Sequence, residues 1–317
     1  MQEKLGSVPL RTYGELFFIS FLALSFELTC IRWFGAYVVF LRFFTNIVLL
    51  ASFLGLGVGC LAARREKQFV DWVPTLVFFA TFSAVATHVL YRWNDRLFVG
   101  IDNLQMVYFG TEYRHPDVST IAVPLEVVAG FFFLLVAFLF VGLGQVLGRK
   151  FEAVPNRILG YTINISGSIV GIVIFSLISF LTLPSFLWFA IALGGVCYFL
   201  SGKRLFINYG YTALTILLVG LLDVGIGGQM QVYWSPYSQI SYNPSTGAIS
   251  SNNIGHQTMI SLKEGGIAYG VPYFLNRGSR RAPIRDVLII GAGSGNHVSV
   301  ALPAGGRGGR EGGWVEG

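Results

Sequence analysis

Seven apolar stretches, each near the length needed to cross a bilayer, fill the first 222 residues: 16–31, 43–62, 73–91, 124–147, 158–181, 185–200 and 205–222. A spanning helix takes roughly 17–25 mostly apolar residues, because hydrocarbon offers backbone N–H and C=O groups no partner outside the helix itself. The first and sixth stretches are the shortest. Pro74 and Pro124 stand near expected helix starts, where a missing N–H costs nothing, and Pro184 marks the turn between the fifth and sixth. Charged residues make up 12% of the chain, about half the roughly 25% of soluble domains, too few to clothe a soluble protein of 317 residues. The expectation is a mainly α, multi-pass protein of the cell (inner) membrane, a transmembrane bundle of six or seven spans with the lipid bilayer as partner.

The net charge of +6 is small, and its Lys and Arg residues gather between the apolar stretches. Such flanks set topology rather than bind nucleic acid. Lys4, Arg11, Arg64, Arg65, Lys67, Arg149, Lys150, Arg157, Lys203 and Arg204 fall on one side; Arg32, Arg42, Arg92, Arg96 and Arg114 fall on the other. The positive-inside rule then puts the N-terminus in the cytoplasm, and seven crossings would leave the residues after 222 outside. Either one stretch does not cross, or that piece is not cytoplasmic; a cytoplasmic piece is the working expectation. No small-residue cleavage site follows the first stretch, so it reads as a retained anchor. Cys30, Cys60 and Cys197 lie scattered in apolar stretches and support neither a disulfide framework nor a metal site, which leaves buried thiols.

Two stretch ends resemble each other. Phe53-Leu-Gly-Leu-Gly runs into Arg64-Arg65, and Phe140-Val-Gly-Leu-Gly runs into Arg149-Lys150. Small residues let helices approach closely. A worn internal repeat, as in transporters, and chance likeness both fit.

Charges inside spans are functional candidates by default. Glu27 is mid-span and the hardest to dismiss. Arg32 has length enough to snorkel to the interface, and Glu126 sits at a helix start where the dipole favours a carboxylate. Glu27 and Arg32 are roughly 140° apart on a helix, so their partners should come from other helices. His88 and Asn164 read as hydrogen-bonding groups between helices.

From Asp223 onward the chain reads as soluble. Gly225-Ile-Gly-Gly228 is a flexible exit. Residues 232–242 suggest a strand with a turn at Pro236, and Asn243-Pro-Ser-Thr-Gly247 a hairpin turn into 248–251. Residues 252–262 and 267–276 read as irregular or weakly helical. The sharp feature is Val287-Leu-Ile-Ile-Gly-Ala-Gly-Ser-Gly-Asn-His: a short buried parallel strand, a tight turn on Gly291, Gly293 and Gly295, then a helix from Asn296. Glycines allow a ligand close to the backbone. The dinucleotide spacing G-x-G-x-x-G fails because position 296 is Asn, which disfavours nicotinamide and flavin and leaves a nucleoside-binding half-fold or a plain structural turn.

The G-x-G-x-G segment resembles the first motif of S-adenosylmethionine-dependent transferases. With Trp234-Ser-Pro-Tyr-Ser-Gln239 and Asn253-Ile-Gly-His-Gln257 upstream, it is similar to spermidine synthase-like proteins, in particular the subgroup with an N-terminal multi-span membrane domain. Phe26-Glu-Leu-Thr-Cys-Ile-Arg32 and the Gly-rich end of the second stretch resemble that subgroup too. The resemblance implies an incomplete α/β, Rossmann-like, methyltransferase-type domain led by a small β piece. It implies aminopropyl transfer from decarboxylated S-adenosylmethionine to putrescine or a related amine, with no metal. Gly291, Gly293, Ser294, Gly295 and Asn296 would contact the nucleoside; Tyr237, Gln239 and Gln257 would line the substrate side. Aminopropyltransferases carry an Asp in the turn where this chain has Ser294. The acidic residue for the ribose hydroxyls should come about 20 residues on. Glu311 has that offset but lies in a Gly-rich run not expected to make a buried strand, and no catalytic residue is assignable.

Residues 303–317 hold seven glycines in fifteen, a composition that does not bury enough apolar surface to order itself. A frameshift near codon 302 would account for the abrupt change, and a chain so shortened is expected to be inactive. The domain expectation is therefore 1–222 transmembrane, 223–302 the leading part of a transferase domain, and 303–317 a disordered or out-of-frame tail. A homo-oligomer is compatible with all of this. Two rival functions remain: a transporter or channel, and a membrane-bound S-adenosylmethionine-dependent methyltransferase.

Overall fold

The computed structural model describes residues 9–38, 41, 45–92, 97–100, 121–224, 230–252, 254–260, 267–278, 287–291, 293–301 and 311–312. The chain divides into two compact units: Met1–Ile226 with Val232–Gln239, and Gly227–Gln231 with Ile240–Gly317.

The first unit is a helical bundle with a helix at each apolar stretch: α1 (Leu10–Tyr37), α2 (Thr45–Leu61), α3 (Val73–Arg92), α4 (Leu125–Glu152), α5 (Arg157–Phe180), α6 (Ser185–Phe199) and α7 (Leu205–Val224). Five of these helical stretches are long and apolar enough to cross a membrane: Leu10–Tyr37, Phe69–Leu90, Glu126–Glu152, Arg157–Phe180 and Leu205–Val224. At 1.5 Å per residue, the 17-residue α2 and 15-residue α6 fall short of a hydrocarbon layer of about 30 Å. The first helix is not short: it runs 28 residues, straight through Arg32. Between α3 and α4 lies a parallel pair that composition does not announce, β1 (Leu97–Gly100) with β2 (Ile121–Pro124), registered Leu97 to Ile121. Pro124 ends β2 and caps α4.

Glycines set the two closest helix pairs. A methyl group at Gly55 would strike the backbone of Ala137, one at Gly59 that of Val141, and one at Gly144 that of Leu56, while Gly148 sits on Cys60. Residue numbers rise together along both helices, so α2 and α4 are parallel, and the two similar Gly-rich ends lie against each other. Helices α1 and α5 pair the same way: Gly167 rests on Phe17 and Gly171 on Phe21, while the Ser20 hydroxyl donates to Asn164 Oδ1 at 2.8 Å. Backbone-to-backbone approach replaces the hydrophobic drive that lipid does not supply.

The described residues of the larger basic set gather at one end of this bundle. Glu15 of α1 pairs with Arg11 at 2.8 Å and Lys150 at 2.5 Å. Arg64 pairs with Glu152, Arg149 donates to the carbonyls of Ala63 and Arg65, and the Arg204 guanidinium lies 3.8 Å from the Trp72 ring centre. Buried Gln145 pins the α2–α3 connection, accepting from Phe69 N at 2.8 Å and donating to the carbonyls of Ala62 and Lys67. Of the three thiols only Cys30 is buried; Cys60 is exposed at the edge of the α2–α4 contact, its thiol 3.4 Å from the Gly144 carbonyl, and Cys197 is partly exposed beside Thr212 of α7.

The segment after α7 opens with β3 (Gln231–Trp234). From Ile240 onward in the second unit, β4 (Gln239–Asn243), β5 (Ala248–Ser251) and β6 (Ile254–Thr258) form a small antiparallel meander, with Ile240 opposite Ser251 and Ser251 opposite Ile254. Residues 254–258 are thus a strand and not irregular. Asn252, at φ 46°, takes the left-handed turn that reverses the chain, a conformation Asn tolerates. Then come α8 (Ile267–Gly278), β7 (Ile289–Ile290), α9 (Asn296–Ala301) and β8 (Glu311–Gly312). Strand β8 lies parallel to β7, Ile289 opposite Glu311. The β7 segment is not buried: Leu288 is 70% and Ile290 83% exposed, since a two-residue neighbour covers little of it. The flexible exit at 225–228, the Arg42, Arg96 and Arg114 flanks, and all of the tail save 311–312 lie outside the described residues.

Candidate functional site

The expected nucleoside residues form a turn in the second unit. Gly291, Gly293 and Gly295 have φ of 70°, 55° and 80°, all in the left-handed region that a Cβ disfavours. Three such residues between β7 and α9 explain the glycine spacing. Gln257, placed by sequence on the substrate side, reaches this turn: its Oε1 accepts the Ser294 N–H at 2.5 Å, and its amide fills the space a methyl on Gly293 would need. Asn296 faces the protein instead of a ligand. It is buried, donates through Nδ2 to the Thr258 carbonyl at 2.8 Å and accepts from Ile260 N at 3.1 Å. The residue that breaks the dinucleotide spacing therefore ties the turn to the end of β6. His297 packs edge-on to Tyr269 of α8, ring centres 4.6 Å apart.

Two other expected residues lie elsewhere. Tyr237 is 90% exposed, whereas Gln239 is 2% exposed and donates to the Tyr37 hydroxyl at 2.9 Å. Both belong to the segment Val232–Gln239, which is built into the helical unit. Glycine turn and Gln257 thus come together; Tyr237 and Gln239 belong to a different constellation.

That constellation forms at the end of the bundle opposite the basic residues. Arg32, near the end of α1, lies against a pair of indoles, 4.7 Å from the Trp188 ring centre and 5.4 Å from that of Trp234, and donates to the Ser235 carbonyl. Cation–π contact with both rings lets a guanidinium rest inside the protein. Asp223 of α7 accepts from Ser185 Oγ at 2.8 Å, Phe186 N at 2.9 Å and Trp234 Nε1 at 2.8 Å. The carboxylate thereby caps α6, whose own cap residue Pro184 offers no side-chain acceptor. Ser179 donates to the Pro236 carbonyl, and Trp188 packs on Trp234 at 4.7 Å. Sequence reasoning does not single out Asp223, Trp188 or Tyr37; the only signal is a lone acid closing an apolar stretch shortly before a Trp.

Glu27 lies in the bundle core at 1% exposure, its Oε1 2.5 Å from Ser52 Oγ of α2. Glu126 is exposed in the first turn of α4, and His88 packs edge-on to Tyr37 across α3 and α1. Among the described residues no group of three or more His, Cys, Asp or Glu side chains is placed to hold a metal ion. No protein-family model matches the chain, and no curated protein or solved structure matches it.

Proposed function

We propose that this chain is a membrane-bound, spermidine synthase-like transferase that takes S-adenosylmethionine or its decarboxylated form at the glycine turn. The reading puts a Rossmann-like, methyltransferase-type half-fold after the membrane bundle. The observation that supports it is the run of three left-handed glycines between β7 and α9, with β8 lying parallel beside β7. Such a turn leaves backbone N–H groups open to a close-lying ligand. In this reading Gln257 gives up the Ser294 N–H when the nucleoside arrives, and an amine acceptor approaches from the β6 side.

The test is equilibrium binding of labelled S-adenosylmethionine and of its decarboxylated form to the purified chain in detergent, beside Gly293→Ala. Binding to the parent chain that weakens at least tenfold in the variant supports the reading; no binding of either nucleoside overturns it. Release of methylthioadenosine with an added amine then marks aminopropyl transfer, and movement of a labelled methyl marks methyl transfer. A transporter or channel is the second reading, favoured by the buried Glu27 and by the facing Gly-rich ends of α2 and α4. Solute uptake into proteoliposomes with no nucleoside present would favour it over the first.

A further inference from the structure

Glu27 poses a question about protons that hydrogen-bond geometry answers. Ser52 Oγ has a single hydrogen, yet it lies within bonding distance of two acceptors, Glu27 Oε1 at 2.5 Å and the Leu49 carbonyl at 2.8 Å. If that hydrogen goes to Glu27, the carboxyl is either charged or carries its proton on Oε2. A charged carboxyl would sit in the bundle core with one hydrogen bond, its Oε2 buried and unpartnered, and with no Lys, Arg or His in ion-pair reach among the described residues. Burial of an unpaired carboxylate is among the costliest arrangements a protein interior allows. A proton on Oε2 would leave a buried O–H with no acceptor, again costly. If instead the hydroxyl hydrogen goes to Leu49, the short contact to Glu27 requires a proton on Oε1. Every hydrogen then has an acceptor, and Oε2 is left as a neutral carbonyl oxygen, the cheapest group to leave unpaired.

We propose that Glu27 Oε1 is a proton-binding site in the core of the helical unit, held neutral in a chain that runs from Glu27 O–H to Ser52 Oγ and from Ser52 O–H to the Leu49 carbonyl. The neighbouring groups fit a neutral acid. Ser52 is the polar contact from α2, and the titratable neighbour is the buried Cys30 thiol on the same helix. From α4 and α6 the surrounding core brings Phe140 and Phe189, both packed on the adjoining Phe26. The site does not depend on the transferase reading and would persist if that reading failed.

The experiment is infrared spectroscopy of the full chain in lipid at neutral pH, with carbon-13-labelled glutamate to separate Glu from Asp carboxyls. A protonated-carboxyl C=O band is expected that moves with the label, disappears in Glu27→Gln and shifts in Ser52→Ala as its hydrogen bond is lost. Absence of any label-sensitive band in the parent chain overturns the proposal, as does a band that persists in Glu27→Gln. Should Glu27→Gln fail to fold, Ser52→Ala alone decides: a shifted band supports the proposal and an unmoved band overturns it.

Discussion

The Trp234 indole N–H donates to Asp223 Oδ1 at 2.8 Å, while the same carboxylate receives Ser185 Oγ and Phe186 N at the start of α6. One side chain thus joins the end of α7, the start of α6 and the strand that follows the bundle. Arg32 completes the arrangement from α1 by stacking on Trp188 and Trp234.

Asp223→Ala removes the acceptor from three donors at once. The expected loss is about 2–3 kcal/mol of stability, the range for donors left unsatisfied in a partly buried site. Asp223→Asn keeps one carbonyl oxygen and should lose about 1 kcal/mol. Thermal unfolding in detergent measures both. A change in Trp234 emission, isolated by subtracting the Trp234→Phe spectrum, should accompany the Ala variant. Equal stability of the parent, Ala and Asn proteins would mean that Asp223 does not join these three elements.

The facing Gly-rich ends supply a matched pair of substitutions. Gly144→Ala drives a methyl into the backbone of Leu56, which has no rotamer with which to yield, whereas Gly57 has open space around its Cβ position. Overpacking of this kind costs about 1–3 kcal/mol. Gly57→Ala should be neutral or slightly stabilising, because Ala is the better helix former by about 1 kcal/mol. Thermal stability of the two variants, measured side by side, should differ in that order; the same loss in both would mean that α2 and α4 do not meet through these residues.

The seven helices are legible in the sequence because apolar length is a local property, and their partners are not, because partnership is a property of the fold. Reading α1 as ending at Ile31 follows from the charge on Arg32. The helix continues because indoles from α6 and from the segment after α7 cover that charge, and nothing near residue 32 in sequence announces them. The glycine turn is legible down to its conformation, since three alternating glycines have few other uses. Gln239 reads beside Tyr237 because they are neighbours in sequence, yet Tyr237 sits in the bend between β3 and β4 and stays exposed, while Gln239 opens β4 and is buried against Tyr37.

Thr182, just past α5, has φ 55°, a left-handed conformation that a β-branched residue adopts only at a cost. It serves as the turn residue of a helix end closed by the Leu183 N–H on the Ile178 carbonyl. Glycine takes the same conformation without strain, so Thr182→Gly should stabilise the protein by about 1 kcal/mol. A lower melting temperature for the variant would show that the hydroxyl or methyl group makes a compensating contact.

The bundle also predicts sidedness. Arg65, just past α2, belongs to the basic end, and Tyr237 follows Trp234 and Ser235, which Arg32 holds at the opposite end. Once the five long helices cross a bilayer, these two positions must face different compartments. Single cysteines at Arg65→Cys and Tyr237→Cys, placed in a background with Cys30, Cys60 and Cys197 replaced by Ala or Ser, should label with a membrane-impermeant maleimide from opposite faces of sealed vesicles. The positive-inside rule makes the Arg65 side cytoplasmic. A third cysteine at the exposed Tyr233→Cys should label with Tyr237→Cys and fix the side on which the chain leaves the bundle. Labelling of Arg65→Cys and Tyr237→Cys from one face would mean that the helices do not cross in the order the bundle gives them.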